Sequence, residues 1–331
     1  LVVPSGDLRR KYFAKVKSLG FEGIELGLDA LGDDADSDEA TADLLHDLEE
    51  EGLPCVALRG GGSLVDPRFG PENAAQLPAA LAMATKLKVR IVNLALTGPP
   101  LDPEAPGATY GETVSQASSR DAKLEDYDRS AKIIASLADS ASTVGLQLSI
   151  ELHQRSIVDN SWTLLRLIDM IDRANVGANA DAANTYWAYE EAEESFEDAI
   201  TALAPRSNYW HCKNLTRLHI PELHRAIYTR VPIPYGDLDY RFAVSAMIDV
   251  GYDGMVGIES LRVGDQLSGD AESLNRLKSL FQELSQGWSS MIPHSLRNFH
   301  LPITAPDYIR TASRNPREGR FNTPANADKQ F

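Results

Sequence analysis

Glu151 and His153 stand two positions apart in SIELHQRS, residues 149–156, where the apolar run GLQLSI ends. On an extended strand every second side chain lies on one face, so Ser149, Glu151 and His153 share a side. Three later segments also end in titratable residues. VGANADAAN carries Asp181, NYWHCKN carries His211 with Lys213 after it, and MVGIES carries Glu259. Two glutamates, one aspartate and one histidine make an oxygen-rich ligand set with a single imidazole. That set suits one divalent ion, Mn²⁺ first, with Mg²⁺, Co²⁺ or Zn²⁺ as alternatives. Buried carboxylates are costly unless paired or on a metal, and one ion would compensate several at once. A lone glutamate at a strand end is more often a rim residue, and a lone histidine more often sits satisfied in a core. Four such residues ending four consecutive strands point instead to a shared site. His153 has two readings. It is a general base, because imidazole titrates near neutral pH, or it is a hydrogen-bond partner that orients a ligand.

The elements that must position these residues follow one recurring phrase, a charged helix-like run ending in Gly and then a short apolar run. KVKSLG leads to FEGIEL, LEEEG to LPCVALRG, SASTVG to LQLSIEL and MIDVG to YDGMVGIES. Glycine just past a helix end adopts the left-handed cap without steric cost. Short runs rich in Val, Ile and Leu suit strands buried on both faces, and strands alternating with helices form a parallel sheet. Strands are expected at 1–3, 22–27, 54–59, 89–96, 146–152, 176–182, 207–213 and 254–260. Helices are expected near 7–19, 38–51, 72–87, 121–143, 161–173, 190–203, 239–250 and 270–285. This is an α/β chain whose pattern is that of a (β/α)8 TIM barrel over 1–286. A doubly wound open sheet is the other candidate, but no GxGxxG follows the first strand. In such a barrel the strand C-termini converge on the active site, where Glu25, Arg59 and Asn93 also fall as candidates for sugar-hydroxyl contacts.

Two stretches break the repeat. Residues 97–120, rich in Gly, Pro, Ser and Thr, are expected to cover the site and move, with Tyr110 closing over a substrate. Residues 287–331 are locally basic and read as a C-terminal arm packing on the barrel or on a neighbouring subunit. The 331-residue chain is otherwise acidic, with net charge -16. That balance excludes a phosphate-backbone partner, which needs clustered Lys and Arg. Two cysteines and no CxxC fit a reducing compartment, so a cytoplasmic location is expected. No apolar run is long enough for a membrane span.

The blocks GFEGIEL, SIELH, ANAD, WHCKN and GIES, in that order, resemble the xylose-isomerase-like barrel family of sugar isomerases and epimerases. The resemblance covers roughly residues 1–286. It implies that Glu151, Asp181, His211 and Glu259 bind one divalent metal ion and that Glu151 and Glu259 also move the substrate proton. It further implies that Arg217, shortly after the metal histidine, touches substrate. The family often carries DxxH where this chain reads DAAN, so Asn184 stands in the place of a substrate-side histidine. The related multi-zinc endonucleases need more histidines than are present. Lys213 stabilises an oxyanion or neutralises the carboxylates. The resemblance implies a metal-dependent isomerase or epimerase acting on a small sugar or keto-sugar, with a homo-oligomer expected. The alternative within the family is the barrel subunit of a C-glycoside deglycosidase, which cleaves 3-oxo-glycosides by elimination with a small partner subunit. A non-catalytic metal-binding barrel is the third reading.

Overall fold

The computed structural model describes residues 6–32, 37–112, 114–187, 192–259 and 264–286. Its helices are α1 (Gly6–Ser18), α2 (Asp38–Glu50), α3 (Gly70–Lys86), α4 (Leu124–Thr143), α5 (Ser161–Ile171), α6 (Phe196–Leu203), α7 (Tyr240–Asp249) and α8 (Gln266–Ser285). Its strands are β1 (Ile24–Gly27), β2 (Cys55–Gly60), β3 (Ile91–Leu94), β4 (Gln147–Glu151), β5 (Val176–Asn179), β6 (Ser207–Cys212), β7 (Asn214–Ile220), β8 (Arg225–Val231) and β9 (Met255–Ile258). The expected strand at 1–3 and the C-terminal arm 287–331 lie outside the described residues.

The Gly-terminated phrases fold as their chemistry requires. Gly20, Gly52, Gly145 and Gly251 follow α1, α2, α4 and α7 with φ between +60° and +94°, the left-handed turn that releases the chain into a strand. Ser37, Asn160 and Ser195 open α2, α5 and α6 by accepting from the backbone N–H of Ala40, Thr163 and Asp198. Seven strands pair in parallel in the order β1-β2-β3-β4-β5-β6-β9, ringed by helices. The result is a nearly closed (β/α)8-like TIM barrel, with α8 as an additional C-terminal helix. Strands β3 and β5 are buried along their whole length, as expected of a parallel sheet covered on both faces. Register sets Asn93 beside Ser149, Glu151 beside Asn179 and Asn179 beside Tyr209. The polar residues thereby gather at one end of the barrel.

One element has no counterpart among the expected ones. Strands β7 and β8 form an antiparallel hairpin, with Leu215 opposite Arg230, Arg217 opposite Tyr228 and His219 opposite Ala226. Its turn closes at His224, which has φ +47°. Asn214 ties the hairpin's root to the following chain. Its amide donates to the carbonyls of Ile233 and Leu238, and its Oδ1 accepts from the N–H of Leu215 and Leu238.

The long loop after β3 is fastened along its length, and two of its ties bear on the site. Gly111 donates to the Trp187 carbonyl and accepts from Ala226 of the hairpin. A Cβ at Gly111 would lie 1.9 Å from the Ala226 carbonyl oxygen, so only glycine permits this approach. Further along, Asp159 accepts from the Ser118 hydroxyl and the Ser119 N–H, while Glu194 accepts from both the N–H and the hydroxyl of Ser161 at the start of α5. Burial outweighs those donors and pushes Asp159 up to about 6 and Glu194 up to about 8.

An unfolded glutamate releases its proton near pH ~4.3, whereas buried Glu194 keeps it to about pH 8. Between those values the folded chain binds the extra proton, so its contribution is fully present below the unfolded value and is lost as pH rises. Glu194→Gln is therefore expected to gain stability relative to the parent chain as pH is raised from 5 to 8.5, by a few kcal/mol at the upper end. Urea midpoints across that range measure it, and a pH-independent difference would contradict the assignment.

Candidate metal centre

Four side chains on or just after neighbouring strands of the sheet converge at the C-terminal end of the barrel. Glu151 closes β4, Asp181 follows β5, His211 lies near the end of β6 and Glu259 follows β9. Each offers one ligand atom, and these atoms all lie within 4.8 Å of one another. Glu151 and Asp181 are fully buried and His211 is 3 % exposed. Three of their atoms, Glu151 Oε1, Asp181 Oδ1 and His211 Nδ1, are buried without a hydrogen-bond partner. Two orphaned carboxylate oxygens beside an orphaned imidazole nitrogen are costly to desolvate and are what a shared divalent cation satisfies. The residues fit such an ion in donor type, in number and in mutual distance.

The remaining atoms of the same side chains are held by protein donors. Glu151 Oε2 accepts from Asn93 Nδ2 at 3.0 Å and lies 3.5 Å from Arg59 Nε. Asn93 Oδ1 accepts from Asn179 Nδ2, and Asn179 Oδ1 accepts from the N–H of His211. One chain of hydrogen bonds thus links β3, β4, β5 and β6 below the ligand atoms. His211 Nε2 donates to Glu25 Oε2 at 2.8 Å, and the Tyr209 hydroxyl donates to the same oxygen at 2.5 Å. With Nε2 committed to Glu25, Nδ1 is the ring nitrogen that faces Glu151 and Asp181. Gly257 on β9 makes room for this arrangement, because a Cβ there would come within 2.7 Å of the Tyr209 hydroxyl.

Lys213 and Arg230 complete the charge pattern. Lys213 Nζ donates to Asp181 Oδ2 and Glu259 Oε2, each at 2.6 Å, and Arg230 Nη2 lies 3.1 Å from Glu259 Oε2. Burial raises the Glu259 carboxyl, but Lys213 and Arg230 outweigh it and hold the group well below the ordinary range. Glu151 is likewise lowered, with burial overcome by His211 and Arg59. Asp181 is pushed up to about 6, where burial exceeds the attraction of Lys213. Burial also opposes the charge on His211, yet Glu25 raises that imidazole to about 9. The carboxylates and cations of the site are mutually dependent, so removing one charge from this cluster leaves its partner buried and unpaired.

The other expected residues are placed as follows. His153 lies just beyond the end of β4, with its ring 5.6 Å from Trp187 and its Nδ1 donating to the Gln154 carbonyl. Burial, reinforced by Lys213, lowers its pKa to about 4 against the pull of Glu151. It is therefore neutral at pH 7, with Nε2 as the acceptor nitrogen, rather than titrating near neutrality. Asn184 donates to the Leu152 carbonyl, and its Oδ1 is buried without a partner. Arg217 lies on the hairpin over the Tyr186 ring, at 5.3 Å. Glu25 and Arg59 are within the site, each engaged with a ligand residue as described. Tyr110 packs edge-on against Trp187 at 4.2 Å, so the loop after β3 does reach over the mouth.

Four residues of the site carried no signal strong enough to be singled out as functional: Arg230, Trp187, Asn179 and Tyr209. The Trp187 ring lies 5.2 Å from Lys213 Nζ and 5.7 Å from the Arg230 guanidinium. Tyr209 had a signal, since it shares a strand face with His211. Arg230 had one only in hindsight, in the alternating segments LTRLHI and RAIYTRV around a polar turn.

The profile of the xylose isomerase-like TIM barrel family matches residues 13–280. D-psicose 3-epimerase of Agrobacterium fabrum is 25% identical over 272 residues, covering 79% of this chain and 86% of its own. The crystal structure of a xylose isomerase-like TIM barrel protein from Mycobacterium smegmatis in complex with magnesium superimposes with a TM-score of 0.70 at 24% identity, over 85% of this chain and 90% of that one. L-ribulose 3-epimerase superimposes with a TM-score of 0.64 at 18% identity, over 88% and 95%. A profile match across four-fifths of the length, on a chain with this fold, is a relationship of descent: the chain belongs to the xylose isomerase-like TIM barrel family.

Proposed function

We propose that the chain catalyses metal-dependent proton transfer next to the carbonyl of a sugar or keto-sugar, as an isomerase or epimerase. The observation that carries this reading is the convergence of Glu151, Asp181, His211 and Glu259 within 4.8 Å at the barrel mouth, three of them with an orphaned buried ligand atom. The relatives named D-psicose 3-epimerase and L-ribulose 3-epimerase support the same class.

Held by these four residues, a divalent ion such as Mn²⁺ would supply Lewis acidity toward a carbonyl and its neighbouring hydroxyl. The chain's own groups then divide the work. Glu151 and Glu259 exchange the proton of the carbon next to the carbonyl, one on each side of the mouth. Lys213, braced between Asp181 and Glu259, offsets negative charge that develops on oxygen. Neutral His153 accepts or returns a hydroxyl proton through Nε2. Arg217, Asn184, Glu25 and Arg59 form the surrounding polar wall. Trp187 and Tyr110 cover the mouth and exclude water, which strengthens each of these charge interactions.

A second reading rests on that aromatic cover. Trp187, Tyr110 and the His153 ring form a wall beside the ion site that would seat an aryl leaving group. The same proton abstraction would then lead to elimination from a 3-oxo-C-glycoside, in company with a small partner subunit. An assay of 3-oxo-glycosides beside free ketoses, with and without a co-expressed small neighbour, separates the two.

The chain is expected to bind about one equivalent of divalent ion. Glu151→Gln and Glu259→Gln should each abolish turnover. Elemental analysis and turnover of the metal-loaded protein check both, and an active preparation with less than about half an equivalent would refute the metal role.

His153→Gln is expected to keep its metal and to lose ~10²–10⁴-fold in kcat. Because burial holds the imidazole neutral down to about pH 4, the parent enzyme's rate profile should show no inflection near pH ~6.5 from this residue. Restoration of the variant by excess metal would instead make His153 a prop for Glu151.

A further inference from the structure

The outer wall of the barrel carries a groove that its own helices do not fill. It lies between α3 and α4 and has a volume of about 810 Å³. Its floor is apolar, formed by the buried side chains of Leu77, Leu81 and Leu137. Its sides are built from small residues, Pro78, Ala82 and Thr85 on α3 and Ser136 and Ser140 on α4. Side chains this short do not bridge the gap between the two helices. Val144 stands at one end of the groove and is 51 % exposed. An apolar recess of this size on a surface marks a place where another segment docks.

The run of the helices shows where the groove opens. In a parallel barrel each helix runs opposite to the strands, so α3, α4 and α8 all end on the face away from the metal centre. Thr85 and Ser140 lie in the last turns of α3 and α4, and Val144 caps α4. The groove therefore opens on the face where α8 ends at Ser285, and residues 287–331 set out from that point. Lys278 on α8 donates to the Gly20 carbonyl at the end of α1, and α1, α2, α3 and α4 follow one another around the barrel. At 8–10 Å per helix, the path from α8 to the far side of α3 is about 35 Å. Residues 287–298 reach about 40 Å when extended.

The sequence that comes next matches the groove. Phe299, Leu301, Ile303 and Ala305 alternate with His300, Pro302 and Thr304, which is the period of an extended segment with one apolar face. Pro302 and Pro306 disfavour a helix and favour extended backbone before them. Seven extended residues span about 20 Å. The groove runs from Ala74 to Thr85 along α3 and from Lys132 to Val144 along α4, about 16–18 Å at the helical rise. Charge acts in the same sense. Residues 287–331 hold six Lys and Arg against three Asp and Glu, in a chain of net charge -16. A basic arm thus follows a strongly acidic body, and the two attract.

We infer that the groove between α3 and α4 is the seat of the chain's own C-terminal arm, with residues 299–305 laid along it in extended form and their apolar face inward. The seat lies on the outside of the barrel, away from the reacting centre, and stands whether or not the proposed reaction does.

The test places a thiol in the groove of the full chain. Cys55 and Cys212 are both buried, so Ala82→Cys supplies the accessible one. Its alkylation by N-ethylmaleimide is expected to quicken at least ~10-fold when Leu301→Asp and Ile303→Asp are added, because a charged side chain does not occupy an apolar groove. Equal rates in the two proteins overturn the inference. Ala82→Cys with Leu301→Cys should oxidise to a cross-linked monomer, and faster than Ala82→Cys with Gln330→Cys. Equal cross-linking of both pairs also overturns it. A disulfide formed only between two chains assigns the groove to a second copy and overturns the seat within one chain. Ala82 is exposed, so the core is untouched by its replacement; should Ala82→Cys not fold, Ser136→Cys on the facing helix reads the same groove.

Discussion

The constraint on which the molecule turns is the desolvation of carboxylates at the barrel mouth. Glu151 and Asp181 have no solvent exposure at all, and each has one oxygen held by a protein donor and one left without a partner. Such groups persist in a fold only if something compensates them. Much of the surrounding architecture answers that need. The Glu151–Asn93–Asn179–His211 chain links four neighbouring strands below the ligand atoms. Glu25 and Tyr209 fix the histidine ring. Lys213 spans Asp181 and Glu259. A parallel barrel is well suited to this, because the ends of its strands lie close together while the register keeps each side chain on a fixed face.

How far the sequence disclosed this depends on the range of the interactions. The repeated helix–Gly–strand phrase is local, and Gly20, Gly52, Gly145 and Gly251 each encode a turn with no help from distant residues. The expected helix over 38–51 is observed at Asp38–Glu50, and that over 239–250 at Tyr240–Asp249. The ligand set was legible for a related reason. Once strand ends converge, a carboxylate or imidazole at each end is a spatial cluster. The helix expected over 190–203 begins only at Phe196, where Ser195 provides the cap.

What stayed hidden is long-range. Arg230 reaches Glu259 only because β7 and β8 fold back as a hairpin, and the segment breaks the helix–strand rhythm that made the rest readable. Trp187 ends a short 3₁₀ turn after Asp181, and it packs against Tyr110 of the loop from β3 on the other side. His153 was visible as a candidate, but its protonation was not. Spacing shows an imidazole near a glutamate, whereas burial sets its pKa, and burial is a property of the packed barrel.

The hairpin, the β3 loop and the turn carrying Trp187 are best understood as one cover. Gly111 joins all three, bonding to Trp187 on one side and to Ala226 on the other, and Glu112 adds an ion pair with Arg225. The barrel strands bring the ion's ligands, while the cover brings Arg230, Arg217, Trp187 and Tyr110. The ligand set and its cover thus reside on different parts of the chain. The strand ends are fixed by a continuous parallel sheet, and any shift there would separate the ligand atoms. The cover is held to its neighbours by a few hydrogen bonds, ion pairs and ring contacts, and it meets the ligand set through the Arg230–Glu259 ion pair. A family built on this barrel can therefore keep one ligand set at the strand ends and vary the chain that surrounds it.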